Sequence, residues 1–366
     1  MIGHMNHVTS SRLFRRFFQQ RCRRFVGIFN SGHLGALLPL GLCIGLALPT
    51  QAQIAADAEP VRMAMNAFGG EAQIEVRDMD RSRAEQAIQK ALTEIHQVQL
   101  LLNLDADTRG GLAQAQAGVG REVAVDPRIA DLLARATQYC LWSSGSLSPV
   151  GGAVERLWEQ RDASGEGFHP QDLRDALQTA TCDKLSIRNT PQTTVKIEQG
   201  SRLTTFGIGR GFAADRAVAV LQQEGVVNAF VEIGHVVRAI GPGPDGKGWM
   251  VVVPGTSKTR NPLDQIWLRN QSLAVIRKGE RRRIDHRKGV SGLGVVQVAA
   301  VSELAVDTQA LAHVLFVNGM TEGQRLIGYL NPKPSIFWLL GNGVGVPLES
   351  QYRWSELSRS RNTFIP

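Results

Sequence analysis

Apolar and polar positions alternate from Ala64 to Val76, which predicts a first strand, with Gly69-Gly70 as a bulge or a point of close backbone approach. From Arg81 to Leu102 the spacing changes. Ala84, Ile88, Ala91, Ile95, Val98 and Leu102 recur at helical intervals, so one face of a helix is apolar. Asp126 followed by Pro127 caps and opens another helix through Leu141, which Ser143-Ser144-Gly145 ends. A short helix is expected over Val154 to Gln160, and Pro170 and Asp172 open a further one to about Ala180. The second half reads mainly as strands: Thr193–Glu198, Arg202–Phe206, Val227–Ile233, Val236–Ile240, Trp249–Val253, Ile266–Arg269 and Gly294–Val301. Helices over Phe212–Glu224 and Val306–Val317 interrupt them. Helices first, then a sheet with a few helices on it, is an α+β pattern. No repeat or low-complexity segment is evident. The tail, residues 349–366, is polar and expected to be only partly ordered.

Charge changes the picture chiefly at the N-terminus. The 366 residues carry a formal net charge of +8, but residues 1–52 hold six arginines and no acidic residue. Without them 35 basic side chains face 33 acidic ones, so a nucleic-acid partner loses its electrostatic support. Those arginines precede an apolar run, Leu34 to Leu48, and then Thr50-Gln51-Ala52. Basic, apolar and small-residue regions in that order predict a signal peptide over residues 1–52, with cleavage after Ala52 and a periplasmic mature chain. An uncleaved leader would instead anchor the protein to the membrane. The run is shorter than the roughly 20 residues that span a bilayer. Cys140 and Cys182 remain in the mature chain, either paired or as two buried thiols.

Three segments could carry chemistry. Thr204-Thr205-Phe206-Gly207-Ile208-Gly209-Arg210-Gly211 lies between a predicted strand and a helix. Glycines there let a backbone approach a ligand closely, the helix start favours an anion, and Arg210 suits a phosphate. The bland alternative is a tight strand-to-helix turn. Arg277 to Lys288 holds seven basic and two acidic residues. A polyphosphate, an acidic partner or a membrane surface would explain it, as would a solvated hairpin. Gln309 and His313 lie four apart on one helical face near Asp307, where His313 among apolar neighbours reads as a core histidine.

Taken in order, Gly145-Ser146-Leu147-Ser148-Pro149, Leu157-Trp158, the Gly207–Asp215 turn and helix, Val231-Glu232-Ile233-Gly234, Trp249, Ile284-Asp285-His286-Arg287-Lys288-Gly289 and Ala310-Leu311 to Gly319 form a recognisable series. The series resembles the ApbE family of FAD:protein FMN transferases over about residues 60–345. The resemblance implies a mainly antiparallel sheet flanked by helices, with a flavin cleft beside the glycine turn. It also implies an exported, magnesium-dependent enzyme. Such an enzyme moves FMN from FAD to a threonine of a membrane-associated flavoprotein and releases AMP. By matched position, Arg282 and Asp285 would be catalytic. Gly69, Gly207, Gly209, Arg210, Gly211, Glu232, Arg277 and Arg282 would bind FAD, and Gly209, Gln309 and His313 would bind magnesium.

The departures are as informative. The family's Asp before the turn is Thr204, its lysine is Arg210, and the alanine whose carbonyl helps bind magnesium is Gly209. Its Gly-Gly-acid reads Gly234-His235-Val236, its Thr-Ser-Gly reads Val275-Ile276-Arg277, its histidine is Arg282, and the proline of Ile-Asp-Pro-Arg is His286. The metal-binding Asp and Thr are Gln309 and His313. Magnesium prefers charged or carbonyl oxygens in near-octahedral array. The expectation is therefore weak or lost transfer, with arginines at positions 210, 277 and 282 standing in for the cation. The alternatives are a silent flavin- or partner-binding pseudoenzyme and a periplasmic small-molecule binding module.

Overall fold

The computed structural model describes residues 59–105, 107–255, 261–279, 283–292, 294–341 and 353–354. The predicted leader, Arg282 and all of the C-terminal tail but Arg353–Trp354 lie outside the described residues.

The stretch read as one strand is two. Strands β1 (Val61–Ala67) and β2 (Gly70–Val76) pair antiparallel, with Ala67 opposite Gly70. Phe68 (φ +53°) and Gly69 (φ +73°) are both left-handed, as a primed two-residue hairpin turn requires. Helix α1 spans Arg81–Leu102 as expected, with Asp80 accepting from the Arg83 N–H at its start. The helices that follow are α2 (Leu112–Ala117), α3 (Pro127–Trp142), α4 (Gly152–Ser164) and α5 (Pro170–Gln178). Strands β3 (Glu122–Ala124), β4 (Leu185–Arg188) and β5 (Thr194–Ile197) make a small antiparallel sheet in the order β3-β5-β4.

After α6 (Gly209–Gln223) come β6 (Ala229–Ile233), β7 (Val236–Ile240), β8 (Trp249–Val253), β9 (Asp264–Leu268), β10 (Gln271–Arg277) and β11 (Val295–Ser302). Helix α7 (Ala305–Ile327), β12 (Ser335–Leu340) and β13 (Arg353–Trp354) complete the order. The main sheet runs β1-β2-β6-β7-β10-β11-β12-β13, every neighbour antiparallel. On one face α1, α6 and α7 close the larger core, with Ile74, Ile95, Ala217, Val231, Ala300 and Val314 buried together. On the other face the β8–β9 hairpin packs Trp249, Val251 and Ile266 onto Leu273, Val275 and Phe337.

One further expectation needs correction, and two strands went unpredicted. Arg202–Phe206 is not a strand. Arg202 makes a single bridge to Gly151, the Leu203 N–H donates to Gln116 Oε1, and the Thr204 N–H donates to the Pro149 carbonyl. Its backbone groups are satisfied by three different partners, so no ladder forms. Strands β10 and β12 were not expected, because both are buried on both faces and show no alternation. Of the alternatives for the cysteines, the structure shows the pair: Cys140 on α3 is bonded to Cys182, with Cα atoms 5.8 Å apart. No helix among the described residues is long and apolar enough to cross a membrane.

Candidate functional site

A cleft of about 550 Å³ opens where the β1–β2 turn, the end of α1, the start of α4, the 202–207 segment and the start of α6 meet. The turn is held in place from two sides. The Phe68 N–H donates to Gln99 Oε1 of α1 at 2.8 Å, and Arg210 Nη2 of α6 donates to the Phe68 carbonyl at 2.8 Å. Gly207 (φ +94°) makes the bend into α6, and a Cβ there would stand 2.6 Å from His313 Nδ1.

Helices α6 and α7 cap each other. Ile208 gives α6 no side-chain cap, and Gln309 of α7 supplies one, its Oε1 accepting from the Gly211 N–H at 2.8 Å. In return the Asp215 carboxylate of α6 accepts from the Ala305 and Val306 N–H groups at 2.9 and 2.8 Å. Gly211 is required at this crossing, since a Cβ would run into the Ala305 carbonyl. Burial pushes the Asp215 carboxyl up to about 6, against the opposing pull of the two N–H groups and of Arg238. Arg238 Nε lies 3.2 Å from Asp215 Oδ1, an ion-pair distance without hydrogen-bond alignment.

Beside the glycine turn lies a buried polar cluster. The Ser148 N–H donates to His286 Nδ1 at 2.9 Å, which places the ring proton on Nε2, 3.2 Å from Glu155 Oε1. Thr204 Oγ1 donates to Glu155 Oε2 at 2.8 Å and accepts from the Phe206 N–H at 3.1 Å. Gly151 makes room for the His286 ring, which a Cβ would strike. His313 is completely buried, edge-on to Phe206 and 6.2 Å from the His286 ring. Neither of its ring nitrogens reaches a hydrogen-bond partner among the described residues, although the nearby Ile284 backbone weakly favours the charged form. Burial, helped by Arg283 and His286, drives its pKa well below the usual histidine value, so the ring is neutral at pH 7.

The predicted site residues fall into two groups. Gly207, Gly209, Arg210 and Gln309 line the cleft. Gly69, Gly211, Glu232, Arg277, Asp285 and His313 do not. Gly69 is exposed at the hairpin turn, one residue beyond the cleft-lining Phe68. Glu232 is half-buried on β6, its carboxyl pushed up by burial. Arg277 reaches the Gly255 carbonyl and His235 Nε2, each at 3.4 Å. Asp285 is buried and grips Arg287 through both oxygens, at 3.0 and 2.7 Å. Arg282 lies outside the described residues; its neighbour Arg283 does line the cleft, its guanidinium 4.4 Å from the Phe206 ring centroid. Reasoning from sequence missed Glu155, Arg283 and the cleft role of Phe68. A lone Glu on a short helix carries no spacing signal, and Arg283 is hidden within a basic run.

Two of the three residues at the family's magnesium positions, Gln309 and His313, do not suit that ion. Gln309 has a neutral oxygen already engaged by Gly211, and His313 offers only nitrogen and is sealed behind Gly207. Among the described residues no group of three or more His, Cys, Asp or Glu side chains is placed to hold a metal ion.

A mainly antiparallel sheet flanked by helices is a fold shared with solved flavin transferases. The ApbE protein of Thermotoga maritima superposes with a TM-score of 0.70 at 20% identity, covering 82% of this chain and 99% of that one. The apo Pseudomonas stutzeri flavinyl transferase ApbE gives 0.69 at 16%, covering 82% and 96%. The Vibrio cholerae flavin transferase ApbE gives 0.69 at 18%, covering 82% and 99%. Identities this low show the shared fold alone. The model of the ApbE family matches residues 68–337, and the chain belongs to that family. Curated relatives include the FAD:protein FMN transferases of Treponema pallidum (strain Nichols), 28% identical over 161 residues, and of Haemophilus influenzae (strain ATCC 51907 / DSM 11121 / KW20 / Rd), 26% over 164 residues. Those matches cover 42% and 43% of this chain and 44% and 47% of the relatives, so it spans somewhat under half of their length.

Proposed function

We propose that this chain is an exported, FAD-binding member of its family in which the transfer of FMN to a flavoprotein threonine is weak or lost. FAD is the ligand, a membrane-associated flavoprotein the acceptor, and AMP the product of any transfer that occurs. The curated relatives, FAD:protein FMN transferases by name, support FAD as the substrate. One observation carries the reduced activity: Gln309 caps α6 and His313 is sealed in the core, so neither is free to hold a divalent cation. Phosphoryl transfer depends on charge neutralisation and alignment at phosphorus, and these side chains supply no octahedral template for it.

The test is FAD titration of the mature domain, followed by an AMP-release assay with magnesium and a threonine-bearing acceptor domain. Binding with turnover far below 1 s⁻¹, roughly the low end of ordinary enzymes, is the expected result. Turnover at or above that rate would refute the reduced activity, and failure to bind any flavin would favour a different small-molecule ligand.

A further inference from the structure

Among the described residues β1 ends the main sheet, with β2 on one side and no strand on the other. Which of its backbone groups face outward follows from the register. The Gly234 N–H donates to the Glu71 carbonyl and the Arg77 N–H to the Asn228 carbonyl, so odd-numbered positions along β2 bond toward β6 and even-numbered ones toward β1. Val61, Met63, Met65 and Ala67 stand opposite those even positions. The N–H and C=O groups of Arg62, Ala64 and Asn66 therefore point away from the sheet. Among the described residues none of these groups meets a hydrogen-bond partner. We propose that this edge takes an extended, threonine-bearing segment of the flavoprotein partner as an added antiparallel strand, whose end at the Phe68 turn enters the cleft. The proposal rests on the flavoprotein reading above, and it concerns docking, which stands whether or not transfer follows.

Strand β1 lacks the devices that usually blunt an edge. It has no proline, no bulge in its pairing with β2 and no charge but Arg62, which Glu75 holds at 2.6 Å. Strand addition uses such open backbone groups for affinity and reads alternate side chains for specificity. Met63 and Met65 are half-buried against the core, while Arg62, Ala64 and Asn66 are exposed. An added strand would set apolar residues beside the two methionines at every second position and polar ones on the other face. With Arg62 already paired, charge selects little, and binding should depend weakly on salt. The antiparallel sense follows the rest of the sheet, where every neighbour is antiparallel. In that sense the segment's N-terminal end lies at the turn, where Phe68 lines the cleft, so the threonine comes just before the paired residues. A second copy of this chain fits the edge less well. Seven residues make an edge about 24 Å long and one strand wide, well short of the roughly 800 Å² per partner that a stable dimer buries.

A synthetic peptide that starts with threonine and continues in alternating valine and serine stands in for the partner segment, and it is added to the protein with and without FAD. Amide hydrogen exchange read residue by residue should show new protection at Arg62, Ala64 and Asn66, with Met63 and Met65, already bonded to β2, little changed. Ala64→Pro removes the central outward donor and leaves the β2 ladder intact, so it should weaken the peptide about tenfold or more and leave FAD affinity as in the parent. A peptide N-methylated at the amides that face β1 should fail to bind the parent, which gives the same test should the proline variant not fold. With benzoylphenylalanine in place of its threonine, the peptide should cross-link to cleft-lining residues such as Phe68 or Leu104. No protection at the three amides, undiminished binding by folded Ala64→Pro or by the N-methylated peptide, or cross-links at the Val61 end would each overturn the proposal while the flavin reading stands. If the peptide gives no protection and sedimentation shows a dimer that Ala64→Pro breaks, copies of this chain pair at β1 and the proposal is overturned. If the peptide docks on β1 and cross-links into the cleft but no FAD binds, the docking stands and the flavin reading fails.

Discussion

Gly207→Ala tests the packing of the glycine turn against the buried histidine, and its cost can be worked from the geometry. Gly207 has φ +94°, where an L-residue is strained by about 1–2 kcal/mol. The new methyl would lie 2.6 Å from His313 Nδ1 and 3.0 Å from Cγ. His313 is completely enclosed and cannot swing into solvent, so the clash must be absorbed as overpacking, about 1–3 kcal/mol. The expected destabilisation is therefore about 2–5 kcal/mol. The two contributions separate in a double-mutant cycle. In a His313→Ala background the methyl meets only the residue-313 Cβ, 3.3 Å away, so Gly207→Ala should cost little beyond the backbone share, and the coupling should be about 1–3 kcal/mol. Urea unfolding with linear extrapolation measures all four proteins, with unchanged m-values as the check that the transition stays two-state. Because the same bend lines the cleft, FAD affinity should fall in Gly207→Ala and partly return in the double variant. A coupling below about 0.5 kcal/mol, within ordinary additivity, would mean that the histidine is not pressed against the turn, and the reasoning would be wrong.

Replacing Cys140 and Cys182 by Ala opens a loop with a sequence separation of 42, and chain entropy puts the loss at about 4 kcal/mol. Equilibrium denaturation should show it, and a loss under about 1 kcal/mol would contradict it. Asp215 has its folded pKa raised by burial to about 6, so its contribution favours folding at low pH and is lost as pH rises through that value. Stability from this group should fall by about 2 kcal/mol between pH 4 and pH 7, and Asp215→Asn should flatten that slope in urea titrations at several pH values. N-terminal sequencing of exported protein should begin near Gln53, and an intact Met1 in a soluble cytoplasmic fraction would end the export reading.

The one-dimensional pattern determined a good deal. The amphipathic spacing of α1, the Asp126-Pro127 start of α3 and the alternating strands β6 and β8 depend on neighbours a few residues away, so local periodicity is enough to reveal them. The ordered series of glycines, Trp158 and Asp285 was enough to mark the family, because such residues shape the backbone wherever that backbone recurs. Strands β10 and β12 escaped because burial on both faces is a property of the layers around them, not of their own alternation. The site was decided by folding alone. That Gln309 would cap a helix rather than point at a cation, and that Glu155 would meet Thr204 and His286 across 49 and 131 positions, depends on α4, α6 and α7 converging on one turn. Hydrogen-bond partners so far apart in sequence leave no trace in spacing, because only the packed helices bring them within 3.2 Å.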